Sequence, residues 1–248
     1  MNRVVHFEIH AQDEEESEIK RRADEFARSH KKLIAKKATE VSRFPPDEFP
    51  VSVFMAGSPG AGKTESSTNL IYRLTQDGHP ILRIDPDELR MEFPEYTGTN
   101  SHLFIGATSI IADKIHDFAL SHKQSFVFDG TLSHIVQARN NVERSLLKGR
   151  LVQIVYVYQV PLQAWNFVQA REKQDGRKIP REAFIDAYFN ARETVNALKK
   201  EFGSKIKVDL VVKNIDGTDF SYRENIDLVD NYIPERYTKS DLEILLIV

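Results

Sequence analysis

Residues 51–64 decide the fold, and they read VSVFMAGSPGAGKT. The first six form an apolar run that predicts a buried strand, and the residues that follow the motif favour an amphipathic helix. The remaining eight match the phosphate-loop pattern G-x-x-x-x-G-K-[ST] in full; they are Gly57, Ser58, Pro59, Gly60, Ala61, Gly62, Lys63 and Thr64. In this motif, backbone N–H groups and a helix N-terminus surround a phosphate. The sequence therefore predicts a nucleoside triphosphate site, in which Lys63 reaches the β- and γ-phosphates and Thr64 binds Mg²⁺.

After residue 64, strand-like runs alternate with helix-forming segments. The predicted strands cover residues 81–84, 125–128, 151–158 and 208–212. The predicted helices cover residues 101–122, a segment capped by Ser133, residues 162–173 and residues 184–202. This alternation predicts an α/β fold, a parallel sheet flanked by helices on both faces. The tail, residues 222–248, is predicted to be helical and to close one edge or end.

The first 45 residues differ from the rest of the chain. Charged residues make up 21 of the first 50, and apolar residues recur at helical spacing within residues 13–42. The pattern predicts a helical N-terminal extension over residues 1–45 and a P-loop domain over residues 46–248. Two interpretations of the apolar stripe stay open: it packs on the core, or it forms a regulatory or partner-binding arm.

The composition excludes several classes of function. The 248 residues include no cysteine, which excludes disulfides, thiolate catalysis and cysteine-based metal sites. The net charge of −3 offers no electrostatic basis for nucleic acid or an anionic membrane as the main partner. The start has no apolar core of a secretory signal, and no run is long enough to span a membrane. A cytoplasmic protein is expected.

Two carboxylates follow the second predicted strand, where open parallel sheets bind their ligands. Asp85 precedes Pro86, and with Glu88 it matches a helix-capping box; a water-mediated magnesium contact is the alternative role. Asp87 is not needed as a cap and lies in the first turn, on the ligand side. We expect Asp87 to accept the proton of an attacking hydroxyl, since orientation matters more than basicity in phosphoryl transfer.

Further candidates lie around the third strand. Asp129 ends that strand and is expected to contact substrate or water-bound Mg²⁺, while Gly130 admits a ligand to the backbone and Thr131 offers a hydroxyl. An Asp-Gly turn without a ligand is the alternative. In the preceding helix, Asp113 points away from the apolar stripe, as either a solvated residue or a substrate contact.

An arginine-rich segment over residues 171–181 resembles the lid of a small-molecule kinase. Gly176 and Pro180 predict a loop, and Arg171, Arg177 and Arg181 offer planar guanidinium groups to phosphate oxygens. A lid also excludes water, which prevents wasteful hydrolysis of ATP. An ordinary solvated loop is the alternative, and Arg177 is the first choice for a phosphate contact.

Four segments, taken in order, resemble the zeta toxin family of P-loop kinases. They are GSPGAGKT at 57–64, RIDPDELR at 83–90, VFDGT at 127–131 and REKQDGRKIP at 171–180. The resemblance covers roughly residues 51–212 and implies a P-loop kinase fold that uses ATP and Mg²⁺. It also implies phosphorylation of a sugar hydroxyl of UDP-N-acetylglucosamine in a toxin-like role. A small helical antitoxin that blocks the nucleotide site is the implied partner, and the N-terminal arm is a candidate for the same role in cis.

The resemblance also assigns residues. Asp87 matches the general base, Lys63 and Thr64 match the phosphate-loop pair, and Arg171 and Arg177 match the two lid arginines.

On the substrate side, Thr131 matches a threonine, and Asp113 and Asp129 stand where the family has glutamates. Ser133 stands where the family has an arginine. These departures leave the acceptor open between a nucleotide sugar and another metabolite, such as a dinucleotide or a nucleoside. A regulatory NTPase and a binding module without catalysis are the remaining alternatives.

Overall fold

The computed structural model describes residues 2–76, 78–233 and 236–247, with side chains from residue 14 onward except that of Phe220. Six strands form one sheet in this part of the chain: β1 (Val51–Ala56), β2 (Leu82–Ile84), β3 (Phe126–Phe128), β4 (Leu151–Tyr158), β5 (Ile206–Lys213) and β6 (Asp219–Arg223). Their order in the sheet is β2-β3-β1-β4-β5-β6. The first five strands are parallel, which confirms the predicted α/β fold, and β6 runs antiparallel to β5.

Helices cover both faces of the sheet. The α-helices are α1 (Asn2–Ala38), α2 (Lys63–Leu74), α3 (Ile105–Ser121), α4 (Ile135–Leu147), α5 (Pro161–Asp175), α6 (Arg181–Phe202) and α7 (Lys239–Leu245). Phe54 and Ala56 of β1 face a core shared with α1, α3, α4 and α6, whereas Val53 and Met55 face the side of α2. Successive residues of a strand point to opposite faces, so a strand covered on both sides is apolar throughout.

The N-terminal extension is one helix that packs into the main core. Ala23, Ala27 and Ala35 of α1 are fully or almost fully buried, and their small side chains let α1 and α3 approach closely. The two helices are antiparallel, because Thr39 lies beside Gln124 beyond the end of α3 and Glu16 lies beside His102, just before its start. Packing on the core, one of the two interpretations of the apolar stripe, is therefore what the described residues do.

The tail differs from the predicted helix. The chain reverses at Gly217, and β6 extends the sheet before a short 3₁₀ helix (Val229–Asn231) and α7. The hydroxyl of Tyr222 donates a hydrogen bond to Asp209 of β5, which ties the two strands together. The prediction of a helical tail is thus wrong for most of it: among the described residues only Val229–Asn231 and Lys239–Leu245 are helical. Asp216-Gly217 forms a tight turn, and hairpin pairing outweighs local helix propensity in the residues that follow.

A buried histidine lies beneath the sheet. His116 of α3 is fully buried, and its ring makes edge contacts with Phe54, Phe126 and Phe128. Its Nδ1 accepts a hydrogen bond from Nη2 of Arg144 at 2.8 Å, while Nε2 has no hydrogen-bond partner among the described residues. Burial, with the charge of Arg144 adding to it, lowers the pKa of His116 to about 3, so the ring is neutral in the folded protein.

We expect this histidine to make stability depend on pH. The unfolded chain binds a proton at His116 below its ordinary pKa of about 6.5, whereas the folded chain does not, so stability falls as pH falls from there toward 3. The linkage predicts a loss of about 2 kcal/mol between pH 7 and pH 5. Urea unfolding of wild type and His116→Gln at both pH values measures it.

The variant is needed because another group opposes the histidine. Burial raises the pKa of Asp85 to about 6, which makes folding more favourable as pH falls through that value. Only the difference between wild type and His116→Gln in the pH dependence of the free energy of unfolding reports the contribution of the imidazole. An equal pH dependence in both proteins would contradict the prediction.

Candidate active site

A cavity of about 970 Å³ opens at the carboxyl edge of the parallel strands. Its walls come from the phosphate loop, the segment after β2, the end of β3, the first turns of α3 and α4, the end of α5 and the β5–β6 hairpin. Ligands of open parallel sheets bind at this edge. The fold therefore brings most of the predicted residues to one cavity.

The phosphate loop between β1 and α2 forms one wall. Pro59, Gly60, Gly62, Lys63 and Thr64 line the cavity, while Gly57, Ser58 and Ala61 lie behind them and the first two supply carbonyls to the loop. Gly60 has a φ of +72°, and a Cβ there would lie 2.1 Å from the carbonyl oxygen of Ala164. No other residue fits, because the loop is pressed against the start of α5.

Lys63 holds the loop from the inside. Its Nζ donates hydrogen bonds to the carbonyl oxygens of Gly57 at 3.0 Å and Ser58 at 2.6 Å. Burial lowers the pKa of Lys63 to about 8, although the nearby carboxylate of Asp129 opposes the shift. A bound phosphate would stabilise the charged form, since an opposite charge favours ionisation.

Arg83 organises the carboxylates after β2 and β3. Its guanidinium pairs with Asp85 and Asp129, both at 2.6 Å, and with the exposed Glu88 at 2.5 Å. Because Glu88 turns to Arg83, the predicted capping box is wrong, and Asp85 instead accepts a hydrogen bond from the backbone N–H of Asp87 at 2.8 Å. The chain there forms a 3₁₀ helix over Glu88–Glu92. The role of Arg83 was not predictable from the sequence pattern.

Asp129 and Thr131 lie where strand β3 meets the cavity. The carboxylate of Asp129 is almost buried and accepts a hydrogen bond from the hydroxyl of Ser67 at 2.7 Å in addition to the pair with Arg83. The hydroxyl of Thr131 lies 2.9 Å from that of Ser133. Ser133 therefore does not cap α4, which begins after His134, and the predicted cap is wrong.

Asp87 lies between two arginines. Its Oδ2 accepts from Nη1 of Arg177 and its Oδ1 pairs with Nη2 of Arg90, each at 2.7 Å. Asp87 and both arginines line the cavity. Arg90 is nine-tenths buried and also went unassigned in the sequence analysis, although its position three residues after Asp87 is the spacing of neighbours on a helix. The carboxylate thus keeps a fixed orientation at the cavity wall.

The lid is shorter than predicted. Helix α5 continues to Asp175, so only residues 176–180 form a loop, and Arg171 projects from the last turns of a helix. Arg171 lines the cavity, and no hydrogen bond or ion pair among the described residues engages its guanidinium. Arg181 is the first residue of α6 and does not line the cavity, which argues against its predicted contact with ATP.

The structure places Asp113 outside the cavity. Its Oδ1 lies 2.6 Å from Nη2 of Arg144, and the side chain is half exposed. The α3 side chains that do line the cavity include Ser109 and Ala112. The predicted substrate contact is therefore not available in this geometry, because Asp113 is rotated away by one helical position.

The fold and the loop define a P-loop kinase-like α/β protein. The model of the zeta toxin family matches residues 35–227, more than three quarters of the chain, so the chain belongs to the zeta toxin family. No curated protein matches the chain. Among the described residues, none of the helices combines the length and the apolar character that crossing a membrane requires.

Solved structures share the fold at low sequence identity. A chain from the PezAT chromosomal toxin–antitoxin system of Streptococcus pneumoniae is 16% identical, with a TM-score of 0.60, covering 88% of this chain and 91% of its own. AvrRxo1-ORF1:AvrRxo1-ORF2 with sulphate ions is 16% identical, with a TM-score of 0.58 and coverages of 87% and 70%. The same pair with ATP is 17% identical, with a TM-score of 0.55 and coverages of 84% and 65%.

Proposed function

We propose that this protein transfers the γ-phosphate of ATP to a hydroxyl group of a small molecule, in a toxin-like role in the cytoplasm. The observation that carries the proposal is that Lys63 and Asp87 line one cavity large enough for both a nucleotide and an acceptor. The structural neighbour that contains ATP and the family of P-loop kinase-like proteins support the choice of nucleotide.

Each of these residues has a separate role in the in-line displacement at the γ-phosphorus. The acceptor oxygen attacks the γ-phosphorus, the bond to the β,γ-bridging oxygen breaks, ADP leaves, and Asp87 takes the proton of the hydroxyl. Lys63 and Arg171 offset the charge on the phosphates. Arg177 gives up its hydrogen bond to Asp87 and binds an oxygen of the transferring phosphoryl group instead. The loop over residues 176–180 helps to exclude water from this step.

The donor set also fits Mg²⁺. The hydroxyl of Thr64 and the carboxylates of Asp85 and Asp129 line the same cavity, and oxygen ligands are those that this ion prefers. Asp85 already accepts hydrogen bonds from Arg83 and from the backbone of Asp87, so we expect it to hold the ion through water. When bound, the ion supplies neutralisation of phosphate charge.

We propose a sugar hydroxyl of a nucleotide sugar as the acceptor, with UDP-N-acetylglucosamine first and a dinucleotide or nucleoside second. The family resemblance supports the first choice. Uncharged hydrogen-bonding side chains at the acceptor end of the cavity suit either substrate, namely Ser109, Thr131, Ser133, Gln137 and Asn141.

The test is a transfer assay with a defined product. Purified protein, Mg-ATP and UDP-N-acetylglucosamine are incubated, and mass spectrometry looks for one added phosphate per sugar nucleotide. Asp87→Asn serves as the inactive control. A phosphorylated dinucleotide or nucleoside instead would select the second acceptor. Release of phosphate at the same rate with and without any acceptor would overturn the proposal in favour of an NTPase.

We further propose that nucleotide access is regulated by a helical antitoxin-like partner or by α1 itself. The toxin–antitoxin neighbour supports a partner, and α1 reaches the cavity rim, where Glu16 lies 3.4 Å from His102 and Arg22 pairs with Glu95 at 2.7 Å. The double variant Glu16→Gln, Arg22→Met removes both rim contacts, spares the buried alanines of α1 and should raise activity if α1 inhibits. Unchanged activity would leave a separate partner as the regulator.

A further inference from the structure

A buried lysine, Lys213, lies at the cavity wall, at the end of strand β5. The side chain of Lys213 is only 3% exposed, and its Nζ lies 2.7 Å from Oδ1 of the half-exposed Asp219. The register of β5 and β6 shifts between Val212 and Lys213, and such a bulge re-aims the side chain next to it. Lys213 and Asp219 both line the cavity.

Lys213 lies directly against the phosphate loop. Gly62, the residue before α2, has a φ of +86°, and a Cβ there would lie 3.0 Å from Cε and 3.6 Å from Nζ of Lys213. The ammonium group therefore sits beside the N-terminus of α2. That N-terminus carries a partial positive charge, and its free N–H groups bind anions.

Positive charge is concentrated at this point, and carboxylates lie around it. Lys63, Lys213 and the N-terminus of α2 lie along one stretch of wall. Asp219 is the hydrogen-bonding partner that the structure gives to Lys213 among the described residues, Asp129 lies near Lys63, and Glu65 lies close to Gly62. Burying a cation is costly unless it is paired and hydrogen-bonded. A polyanion in the cavity would supply the missing acceptors for the ammonium N–H groups.

The order of the strands sets the direction of the nucleotide. Asp87 and Asp129 follow β2 and β3 on one side of β1, whereas Lys213 ends β5 on the other side. If the γ-phosphate lies between Lys63 and Asp87, the rest of the nucleotide extends along the sheet edge past Gly62 toward Lys213. The α-phosphate then passes the second lysine.

We propose that Lys213 is a second phosphate-binding lysine, which binds the α-phosphate of the nucleotide, and that Asp219 holds it until the phosphate takes its place. The inference rests on the proposed function, since it uses the nucleotide cavity. Lys213 would help to select phosphorylated nucleotides over nucleosides. Asp219 would weaken nucleotide binding by competing for the ammonium group.

The test measures binding, so it needs no acceptor. The dissociation constants of ATP, AMP and adenosine are determined by competition with a fluorescent ATP analogue, for wild type, Lys213→Met and Asp219→Asn. Methionine keeps the length of the side chain and leaves Asp219 solvated, so the variant should fold. Lys213→Met should raise the dissociation constants of ATP and AMP at least tenfold and change that of adenosine less than twofold. Asp219→Asn should lower the dissociation constant of ATP by two- to fivefold.

The outcomes separate the two proposals. If wild type binds the fluorescent analogue and ATP displaces it, the result supports the proposed nucleotide site. Equal losses for AMP and adenosine in Lys213→Met would show a structural role for the lysine and overturn the inference. Weaker ATP binding in Asp219→Asn would also overturn it, because the carboxylate would then be supporting the site. A wild type that binds no ATP would contradict the proposed function itself.

Discussion

Asp87→Asn should lower kcat by about 10³-fold while the KM for ATP changes by less than about threefold. Asparagine has nearly the same shape and keeps an oxygen for Arg90 or Arg177, but its amide cannot take the proton of the acceptor hydroxyl. The loss therefore falls on the transition state and not on nucleotide binding. Steady-state kinetics with the acceptor identified by the transfer assay measures both constants.

Asp113→Asn is the matched control. It makes the same chemical change on a carboxylate that lies outside the cavity and pairs with Arg144. We expect kcat and the KM of the acceptor to stay within about twofold of wild type, since exposed ion pairs contribute little. A large rise in acceptor KM for Asp113→Asn would restore the substrate role that the family resemblance implies. Full activity of Asp87→Asn would remove Asp87 as the base.

The phosphate loop and the core of the sheet were predictable from sequence because they leave recognisable patterns in consecutive residues. The motif shows where the glycines fall, although the contacts that require two of them come from far along the chain: Gly57 lies against the backbone of Val157, and Gly60 against that of Ala164. The apolar runs of β1 and β4 follow from burial on both faces of a parallel sheet. Both patterns can be recognised without knowing those distant contacts, and they are enough to predict the α/β fold.

The orientation of individual side chains was less predictable. The helical pattern left Asp113 open between a solvated residue and a substrate contact, and in the structure its side chain is half exposed; one residue along a helix rotates a side chain by about 100°, which is enough to take it out of the cavity. Glu88 had the spacing of a capping residue, and an arginine on the preceding strand attracted it instead. Arg83 went unassigned because its pair with Asp129 forms only when β2 and β3 lie side by side. The pair of Arg90 with Asp87 is three residues apart and was within reach of a local pattern.

The bounds of two whole elements, helix α5 and strand β6, were also not predictable from the sequence. The helix predicted over residues 162–173 was expected to end there because of the glycine and proline that follow, yet α5 continues to Asp175, until Gly176 takes the left-handed conformation that ends helices. Strand β6 has few apolar residues and exists because it pairs with β5. Pairing partners of this kind are not visible in a local pattern.

Arg177→Met should lower kcat by about 10³-fold, which is the second large effect. Two consequences of the substitution oppose each other. Removing the guanidinium frees Asp87 from its pair, which favours the reaction by about 1 kcal/mol at most, because Asp87 is half exposed. On the proposed mechanism, it also removes an arginine that neutralises charge on the transferring phosphoryl group, and such arginines contribute about 4–7 kcal/mol. The second term is larger, so the rate falls.

Arg181→Met is the matched control, because Arg181 lies four residues away at the start of α6 and does not line the cavity. Its kcat and its KM for ATP should stay within about twofold of wild type. Arg177→Lys should recover part of the rate, since it keeps the charge but loses the planar fork that binds two phosphate oxygens. If Arg177→Met were faster than wild type, the pair with Asp87 would be the dominant contact, and Arg177 would restrain the base without serving the transfer.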